Sequence, residues 1–343
     1  MTKIALIGFG NVNQAFTQLI HEKHKELQEK YGLNTTIVAI SGRSKGSIYD
    51  EDGLDLDILL KKFRETGSLE SYPKGVRGLS SLETITDTGA SIIVEATLTN
   101  IETGEPALTY VRTALSHGKH VVTSNKGPAA LAYEELKKLA DRNGVMFRIE
   151  STVLSGTPAI NFATENLAGN SIIGIRGIIN GTTNYILTKM ESGENYEQAL
   201  REAQELGYTE KDPTADVEGW DAIAKVMILG NAVLGGSLKV SDVEREGITG
   251  ITPDMIRAAK SHGERVKLIA EAYIDNGVVK ARVGPQRIHL SDPLAGVSGT
   301  LNALMVMTKG LQDVTVIGGG AGGECTAHGL LSDIIAIHRL ACN

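Results

Sequence analysis

Short apolar runs bounded by glycine alternate with amphipathic stretches along the first 150 residues. Residues 3–7 (KIALI) run straight into Gly8-Phe9-Gly10, a buried strand entering a tight turn. A helical pattern follows from Val12 to about Tyr31, with Phe16, Leu19 and Ile20 on one face. The pattern then predicts a strand at 35–40, a polar loop at 41–53 and a short helix near 56–63. A strand at 91–96 (SIIVEA), a helix at 106–116 and a strand at 120–123 (HVVT) come next. A helix over 129–142 and a fifth strand at 145–149 complete the series. Regular alternation of this kind specifies a parallel sheet with helices on both faces.

The rhythm changes near residue 150. Strand-like runs at 172–179 and 278–287 flank two longer helical patterns, 195–206 and 219–234. Two further strand-like runs, MVMT and VTVI, lie between 304 and 317. A glycine cluster, Gly318 to Gly323, then opens a helix over about 326–340, as in the first part. The chain therefore reads as α/β with a second, α+β domain inserted before a return to the first.

Composition narrows the class. The chain has 343 residues, 41% hydrophobic and 22% charged, which excludes a disordered chain and sets an expectation of about two domains. The net charge of −7 and the 4% aromatic content count against nucleic-acid partners. The N-terminus lacks the pattern of a signal peptide, and no run approaches about 18 uninterrupted apolar residues. A cytoplasmic protein without a membrane partner is the expectation. The two cysteines, Cys325 and Cys342, read as free thiols and cannot build a zinc cluster. His21 and His24 share a helix face with Glu22, Lys23, Lys25 and Glu26, a solvated surface.

The strand, Gly8-Phe9-Gly10 and helix form the opening of a Rossmann-type dinucleotide fold. Glycine lets the backbone turn sharply toward a pyrophosphate, and the helix start offers free N–H groups and a positive dipole end. The full fingerprint is G-x-G-x-x-G, and its last position here is Asn13. NAD-binding folds place an acid at the end of the second strand for the ribose hydroxyl. This chain has Ser41 there, with Arg43 and Lys45 just beyond. Cations at that place suit the 2′-phosphate of NADP, so NADP is expected over NAD, with a solvated basic loop as the alternative.

The densest chemistry lies in 203–225, AQELGYTEKDPTADVEGWDAIAK. Glu210, Asp212, Asp216, Glu218 and Asp221 precede Lys225. Asp221 and Lys225 stand four apart and share a helix face. Ala222, Ile223, Val226, Met227 and Leu229 leave that helix little polar surface, so Lys225 is expected to be buried. A buried lysine gives up its charge more easily, which suits proton transfer, and the carboxylates suit an ammonium-bearing substrate. An isolated D-x-x-x-K would be a weak surface pair. The apolar surroundings favour the buried reading.

Ala203, Gly207-Tyr208-Thr209, Asp212-Pro213, Asp216-Val217, Gly219, Asp221 and Lys225, at this spacing, resemble the signature of homoserine dehydrogenases. The segments around Thr97 (VEATLTN), Ser124 to Pro128, Asn180 to Tyr185 and Gly320-Ala321-Gly322 agree, so the resemblance spans essentially the whole chain. It is to the short form, without the kinase or C-terminal regulatory domain of longer members, and no threonine feedback through such a domain is expected. The resemblance implies hydride transfer between L-aspartate 4-semialdehyde and L-homoserine with NAD(P), in threonine, methionine and isoleucine biosynthesis. It implies Lys225 as proton donor and Lys126 as a second catalytic lysine near the cofactor. Glu210, Asp216, Asp221, Gly181, Thr182 and Tyr208 would take the substrate. Gly8, Phe9, Gly10, Asn11, Val12, Arg43, Thr97, Lys126, Gly207 and Gly322 would touch the cofactor. A monovalent cation such as sodium is implied at Glu150, Val153, Ser155 and Thr157, largely through backbone carbonyls, and a homodimer is implied as the assembly. Domain limits follow as 1–148 with 320–343 for the nucleotide, 149–158 with 282–319 as hinge and dimerisation region, and 159–281 for catalysis.

Other activities remain in view. Aspartate-semialdehyde dehydrogenase needs a thioester-forming cysteine, and both cysteines here lie in the last twenty residues. Another NADP-dependent amino-acid dehydrogenase and a catalytically silent NADP-binding sensor share the fold. A sensor has no use for both Lys126 and Lys225.

Overall fold

A computed structural model describes residues 1–341 and divides them into two compact units. The first unit comprises Met1–Gly156 and the segment from Gly322 onward; the second is Thr157–Ala321. Cys342 lies outside the described residues. Among them, no helix is long and apolar enough to cross a membrane.

The first unit runs β1 (Thr2–Ile7), α1 (Asn11–Tyr31), β2 (Thr35–Gly42), β3 (Gly46–Tyr49), α2 (Leu56–Thr66), β4 (Val76–Arg77) and α3 (Ser81–Thr86). It continues with β5 (Ile92–Glu95), α4 (Ala107–Ser116), β6 (His120–Thr123), α5 (Lys126–Leu131), α6 (Tyr133–Arg142) and β7 (Phe147–Arg148). Its sheet has the order β4-β3-β2-β1-β5-β6-β7, parallel from β2 to β7, with β3 and β4 antiparallel at one edge. The central strands are apolar on both faces: Ile4 to Ile7 and Ile92 to Val94 are at most 1% exposed. That is the pattern of a sheet covered on both sides. The strand order reverses at β1, with β2 on one flank and β5 on the other. Folds of this type bind ligands beyond the carboxyl ends of the strands at such a point.

The second unit runs β8 (Ile172–Ile178), α7 (Gly181–Glu191), α8 (Tyr196–Glu205), α9 (Thr214–Val217), α10 (Trp220–Leu234), β9 (Val243–Arg245) and α11 (Pro253–Ser261). It closes with β10 (Glu264–Asp275), β11 (Val278–His289), β12 (Leu301–Thr308) and β13 (Val314–Gly319). The sheet order is β13-β12-β8-β10-β11-β9, antiparallel except where β9 joins β11. Helix α10 packs on β10 and β11. It is buried from Ala222 to Asn231, which makes it a core helix with a single charged interruption, Lys225. The chain then re-enters the first unit as α12 (Gly323–Ala341), which packs along α1. Ala327, Leu330, Leu331, Ile334 and Ile337 join Phe16, Leu19, Ile20 and Leu27 in one apolar cluster.

Several elements differ from the sequence pattern. The polar loop expected at 41–53 contains β3, an antiparallel return of β2 whose Ser47 and Ile48 are buried. Glycine and polar residues in a four-residue strand one place in from the sheet edge hide the alternation. The helix expected over 129–142 is two helices. The chain leaves helical geometry at Ala132 (φ −140°), and α5 begins earlier, at Lys126, under an Asn125 cap. Helix α7, helix α11 and strand β10 do not stand out in the periodicity. Strand β10 is the longest strand jointly with β11, but it carries Lys267 and Glu271 buried in its middle.

Candidate active site

In the first unit the glycine turn sits at the carboxyl end of β1. Gly8 has φ +85°, and a Cβ there would lie 2.8 Å from the Ala96 carbonyl oxygen, so only glycine lets β1 approach β5 so closely. At Gly10 a Cβ would meet nothing within 4 Å. Open space is therefore kept at the start of α1, a helix with no side-chain cap at Gly10 and no acidic residue in its first turn. An uncapped, unobstructed helix start beside a strand-order reversal suits a pyrophosphate.

Asn13 takes the place of the third fingerprint glycine. It is fully buried, and its Nδ2 donates to the carbonyls of Ile7 (3.2 Å) and Gly8 (2.6 Å). The side chain thus braces the turn, so the departure from the glycine pattern is a second way of holding the same loop. Phe9 is 2% exposed and its ring stands edge-on to Phe63 at 4.8 Å. It can meet a ligand only through its backbone. Val12 is half-buried against the same cluster, and Asn11 is exposed. Arg43 is exposed on the turn between β2 and β3, and the Lys45 ammonium lies 5.8 Å from the centre of the Phe63 ring. No carboxylate interrupts that turn, Ser41 to Gly46. Gly322 (φ +105°) is exposed at the entry to α12. Thr97 follows β5, and Lys126 is half-buried at the first position of α5.

The second unit gathers the lysine and the carboxylates. The Lys225 side chain is 8% exposed; its Nζ donates to the Ile179 carbonyl at 2.8 Å and stands 2.8 Å from Asp221 Oδ2. The pair is thus no surface contact. The α-helical spacing of four brings the two groups together, and burial of the α10 face removes water from them. Asn180 Nδ2 donates to Asp216 Oδ1 (2.7 Å) and to Asp221 Oδ2 (3.0 Å). Asn180 Oδ1 in turn accepts the Thr183 N–H at 2.9 Å and so caps α7. Thr209 Oγ1 donates to Asp216 Oδ2 at 2.8 Å, and Thr182 Oγ1 donates to the Tyr208 carbonyl at 2.8 Å. The rings of Tyr208 and Tyr185 meet edge-on at 4.9 Å.

Asp216, Asp221 and Lys225 are therefore joined through short contacts, and the Thr182–Tyr208 pair is formed by the chain neighbours of Thr183 and Thr209 in that network, with Gly181 at the first position of α7. Glu210 is exposed on the loop between α8 and α9, and Gly207 (φ +74°) is exposed just after α8. Asn180 and Thr209 were not among the residues expected to act here. Asn180 closes a β-strand and caps a helix, and an asparagine at such a junction beside two aspartates is the signal that marks it. Asn180→Ala removes the amide shared by the two aspartates and the α7 cap together. It is expected to raise KM for a substrate held by these carboxylates about tenfold or more. Steady-state kinetics at fixed cofactor concentration checks this.

Of the residues expected at a cation, Glu150 and Val153 are 2% and 1% exposed, and Ser155 is 7% exposed with φ +55°, uncommon outside glycine. The Glu150 N–H donates to Asp333 Oδ2 at 3.0 Å. Thr157 opens the second unit, its Oγ1 donating to the Gly319 carbonyl at 2.7 Å. Among the described residues no group of three or more His, Cys, Asp or Glu is arranged to hold a metal ion. Cys325 is a free, exposed thiol.

Known proteins match both halves. The family model described as the homoserine dehydrogenase NAD-binding domain matches residues 8–150, and the homoserine dehydrogenase model matches 158–335. With the glycine turn and the buried lysine, these matches define the class: an NAD(P)-dependent oxidoreductase. An NAD(+)-dependent homoserine dehydrogenase of Pseudomonas canavaninivorans is 45% identical over 99% of this chain and 97% of its own length. The crystal structure of a putative homoserine dehydrogenase from Archaeoglobus fulgidus aligns with TM-score 0.88 and 39% identity, covering 98% of this chain and 99% of that one. A hyperthermophilic archaeal homoserine dehydrogenase mutant in complex with NADPH aligns with TM-score 0.85 and 32% identity, covering 99% and 98%. The chain belongs to the homoserine dehydrogenase family.

Proposed function

We propose that this chain interconverts L-homoserine and L-aspartate 4-semialdehyde, with Lys225 as the group that moves the proton at the substrate oxygen. The observation that carries the proposal is the state of Lys225. An ammonium has three donors. Two of them meet the Ile179 carbonyl and Asp221, which leaves one for the substrate oxygen. In the reducing direction, hydride adds to the aldehyde carbon, the C=O π pair moves to oxygen, and Lys225 protonates that oxygen. In the oxidising direction the same nitrogen, as the neutral amine left after proton donation, takes the hydroxyl proton on its lone pair and becomes the ammonium again. Asp216 and Asp221, held in common by Asn180, are acceptors for the substrate's ammonium and hydroxyl groups. Thr182, Gly181, Tyr208 and Glu210 complete the substrate side.

The first unit fits a nicotinamide dinucleotide: the open space at Gly10, the uncapped start of α1 and the strand-order reversal at β1 all favour it. When bound, the nicotinamide supplies or accepts the hydride. Gly8, Phe9, Gly10, Asn11 and Val12 would hold the pyrophosphate through their backbone, Thr97 and Lys126 would face the nicotinamide side, and Gly207 and Gly322 would add backbone contacts. Lys126 acts as the second catalytic lysine. The wider reading is a cytoplasmic homodimer in aspartate-family amino-acid biosynthesis. Residues 149–158 and 282–319 form its hinge and dimerisation region, and Glu150, Val153, Ser155 and Thr157 would hold sodium or a like ion, largely through backbone carbonyls.

NADP is the proposed working cofactor, because Arg43 and Lys45 stand where an NAD site carries an acid. The NAD(+) dependence of the Pseudomonas relative favours NAD as a second reading. Reduced-nicotinamide absorbance, followed with L-homoserine and either cofactor, tests both readings. The expected outcome is homoserine-dependent reduction that is faster with NADP. Arg43→Ala is expected to weaken NADP about tenfold and to leave NAD within about twofold. Turnover with NAD alone, with NADP bound tightly and idle, would reject NADP as the working cofactor and leave the reaction standing. No reduction with either would reject the reaction.

A further inference from the structure

Glu95 ends an otherwise apolar strand. It is fully buried, and burial pushes its carboxyl above the usual range. Taking a carboxyl out of water at a strand end is costly unless it is fully hydrogen-bonded, and here it is. Oε1 accepts the Thr97 N–H at 2.8 Å and the Thr97 hydroxyl. Oε2 accepts the Thr123 hydroxyl at 2.8 Å. Thr123 Oγ1 accepts the Asn125 N–H at 2.9 Å, and Asn125 Nδ2 returns to the Thr97 carbonyl at 3.2 Å. Asn125 Oδ1 accepts the Gly127 N–H at 3.0 Å, which starts α5 with Lys126 as its first residue. The ring of contacts thus ties the end of β5 to the end of β6 at the carboxyl edge of the sheet. It touches Thr97 and caps the helix that begins at Lys126, the two residues that the proposed function assigns to the cofactor side.

We propose that Glu95 is a positioning residue for the dehydrogenase reaction: it fixes Thr97 directly and sets the start of the Lys126 helix through Thr123 and Asn125. The inference rests on the assignment of Thr97 and Lys126 to the cofactor side. It also states what the carboxyl is for. The network needs an acceptor at the reach of a glutamate more than it needs a negative charge. Glutamine keeps the reach. Its oxygen can still accept both Thr97 donors while its amide donates to Thr123 Oγ1. Aspartate keeps the charge and draws the group back by one methylene.

The test uses the full chain carrying Glu95→Gln, Glu95→Asp or Thr123→Val, with Thr97→Ala and Lys126→Ala as references. Calorimetric Kd values for NADPH and NADH are measured beside kcat and both KM values. Glu95→Asp is expected to weaken the better-bound cofactor about tenfold, with KM for homoserine within about twofold, and Glu95→Gln is expected to stay within about threefold of the parent. Thr123→Val is expected to lower kcat about tenfold while cofactor Kd changes less than threefold, because Thr97 is still held. The proposal is overturned if Glu95→Asp and Thr123→Val both match the parent. It is equally overturned if Glu95→Asp binds cofactor better than Glu95→Gln, or if Glu95→Asp raises KM for homoserine as much as cofactor Kd. If Thr97→Ala and Lys126→Ala themselves match the parent in cofactor Kd and kcat, the cofactor-side assignment has failed, and the inference with it. If those two lose function while the Glu95 variants do not, only the inference has failed.

Discussion

Lys225→Ala is expected to lower kcat for homoserine oxidation by about 10²–10⁴-fold, the range for loss of a positioned proton-transfer group. Cofactor Kd is expected to stay within about twofold. The split follows from where the residue sits. Lys225 belongs to α10 of the second unit, and its partners Asp221 and the Ile179 carbonyl lie in the same unit. Charge develops on the substrate oxygen only as hydride moves, so the missing N–H costs most in the transition state and least in binding. Alanine also leaves Asp221 without its cation, but Asp221 keeps the Asn180 amide and is 17% exposed, so the fold loses less than at a fully buried pair. Rapid-mixing turnover and calorimetric cofactor binding on the same preparation check both parts. Near-parent turnover would remove Lys225 from the chemistry, and a matching loss of cofactor binding would show that the substitution acts on the fold.

Asp221→Ala is expected to destabilise the second unit by about 3 kcal/mol, the lower end for breaking a buried ion pair. The ammonium of Lys225 would remain with only the Ile179 carbonyl, in a site where its side chain is 8% exposed. The lower end applies because Asp221 is itself 17% exposed, so water can partly replace it. Asn180 would also lose one of its two acceptors. The double replacement Asp221→Leu with Lys225→Met removes both charges. It is expected to recover most of the stability and none of the activity, since apolar residues of similar volume substitute well for buried pairs. The chain's one tryptophan, Trp220, directly precedes Asp221 and lies under the Arg245 guanidinium at 4.0 Å, so its fluorescence during urea unfolding reports this unit. A double-mutant cycle isolates the coupling. A coupling near zero would mean that the pair is bathed in water and that Lys225 is not held as described.

Much of this was legible along the chain, for local reasons. KIALI followed by Gly-Phe-Gly announces a strand and turn, because a doubly covered strand is apolar at every position and only glycine adopts φ +85° without strain. The Asp221–Lys225 spacing places both groups on one helix face before any tertiary information. The apolar character of α10 tells that the face is buried.

Other features depend on partners far away in sequence. Residues 41–53 look like a polar loop because β3 is stabilised by pairing with β2, not by its own alternation. The break at Ala132 divides what periodicity reads as one helix. That the Phe9 ring packs on Phe63, fifty-four positions away, leaving its backbone to face the glycine turn, is a tertiary fact. Glu95 reads as a charge at a strand end until Thr123 and Asn125 arrive on the neighbouring strand and loop. Asn180 becomes the link between Asp216 and Asp221 only when β8 ends beside α9 and α10. Periodicity and spacing thus set the elements, the glycine turn and the lysine–aspartate pair, since each depends on neighbours within a few residues. The hydrogen-bond partners that hold those groups come from strands and loops tens of residues apart, and only packing of the sheets brings them within three ångströms.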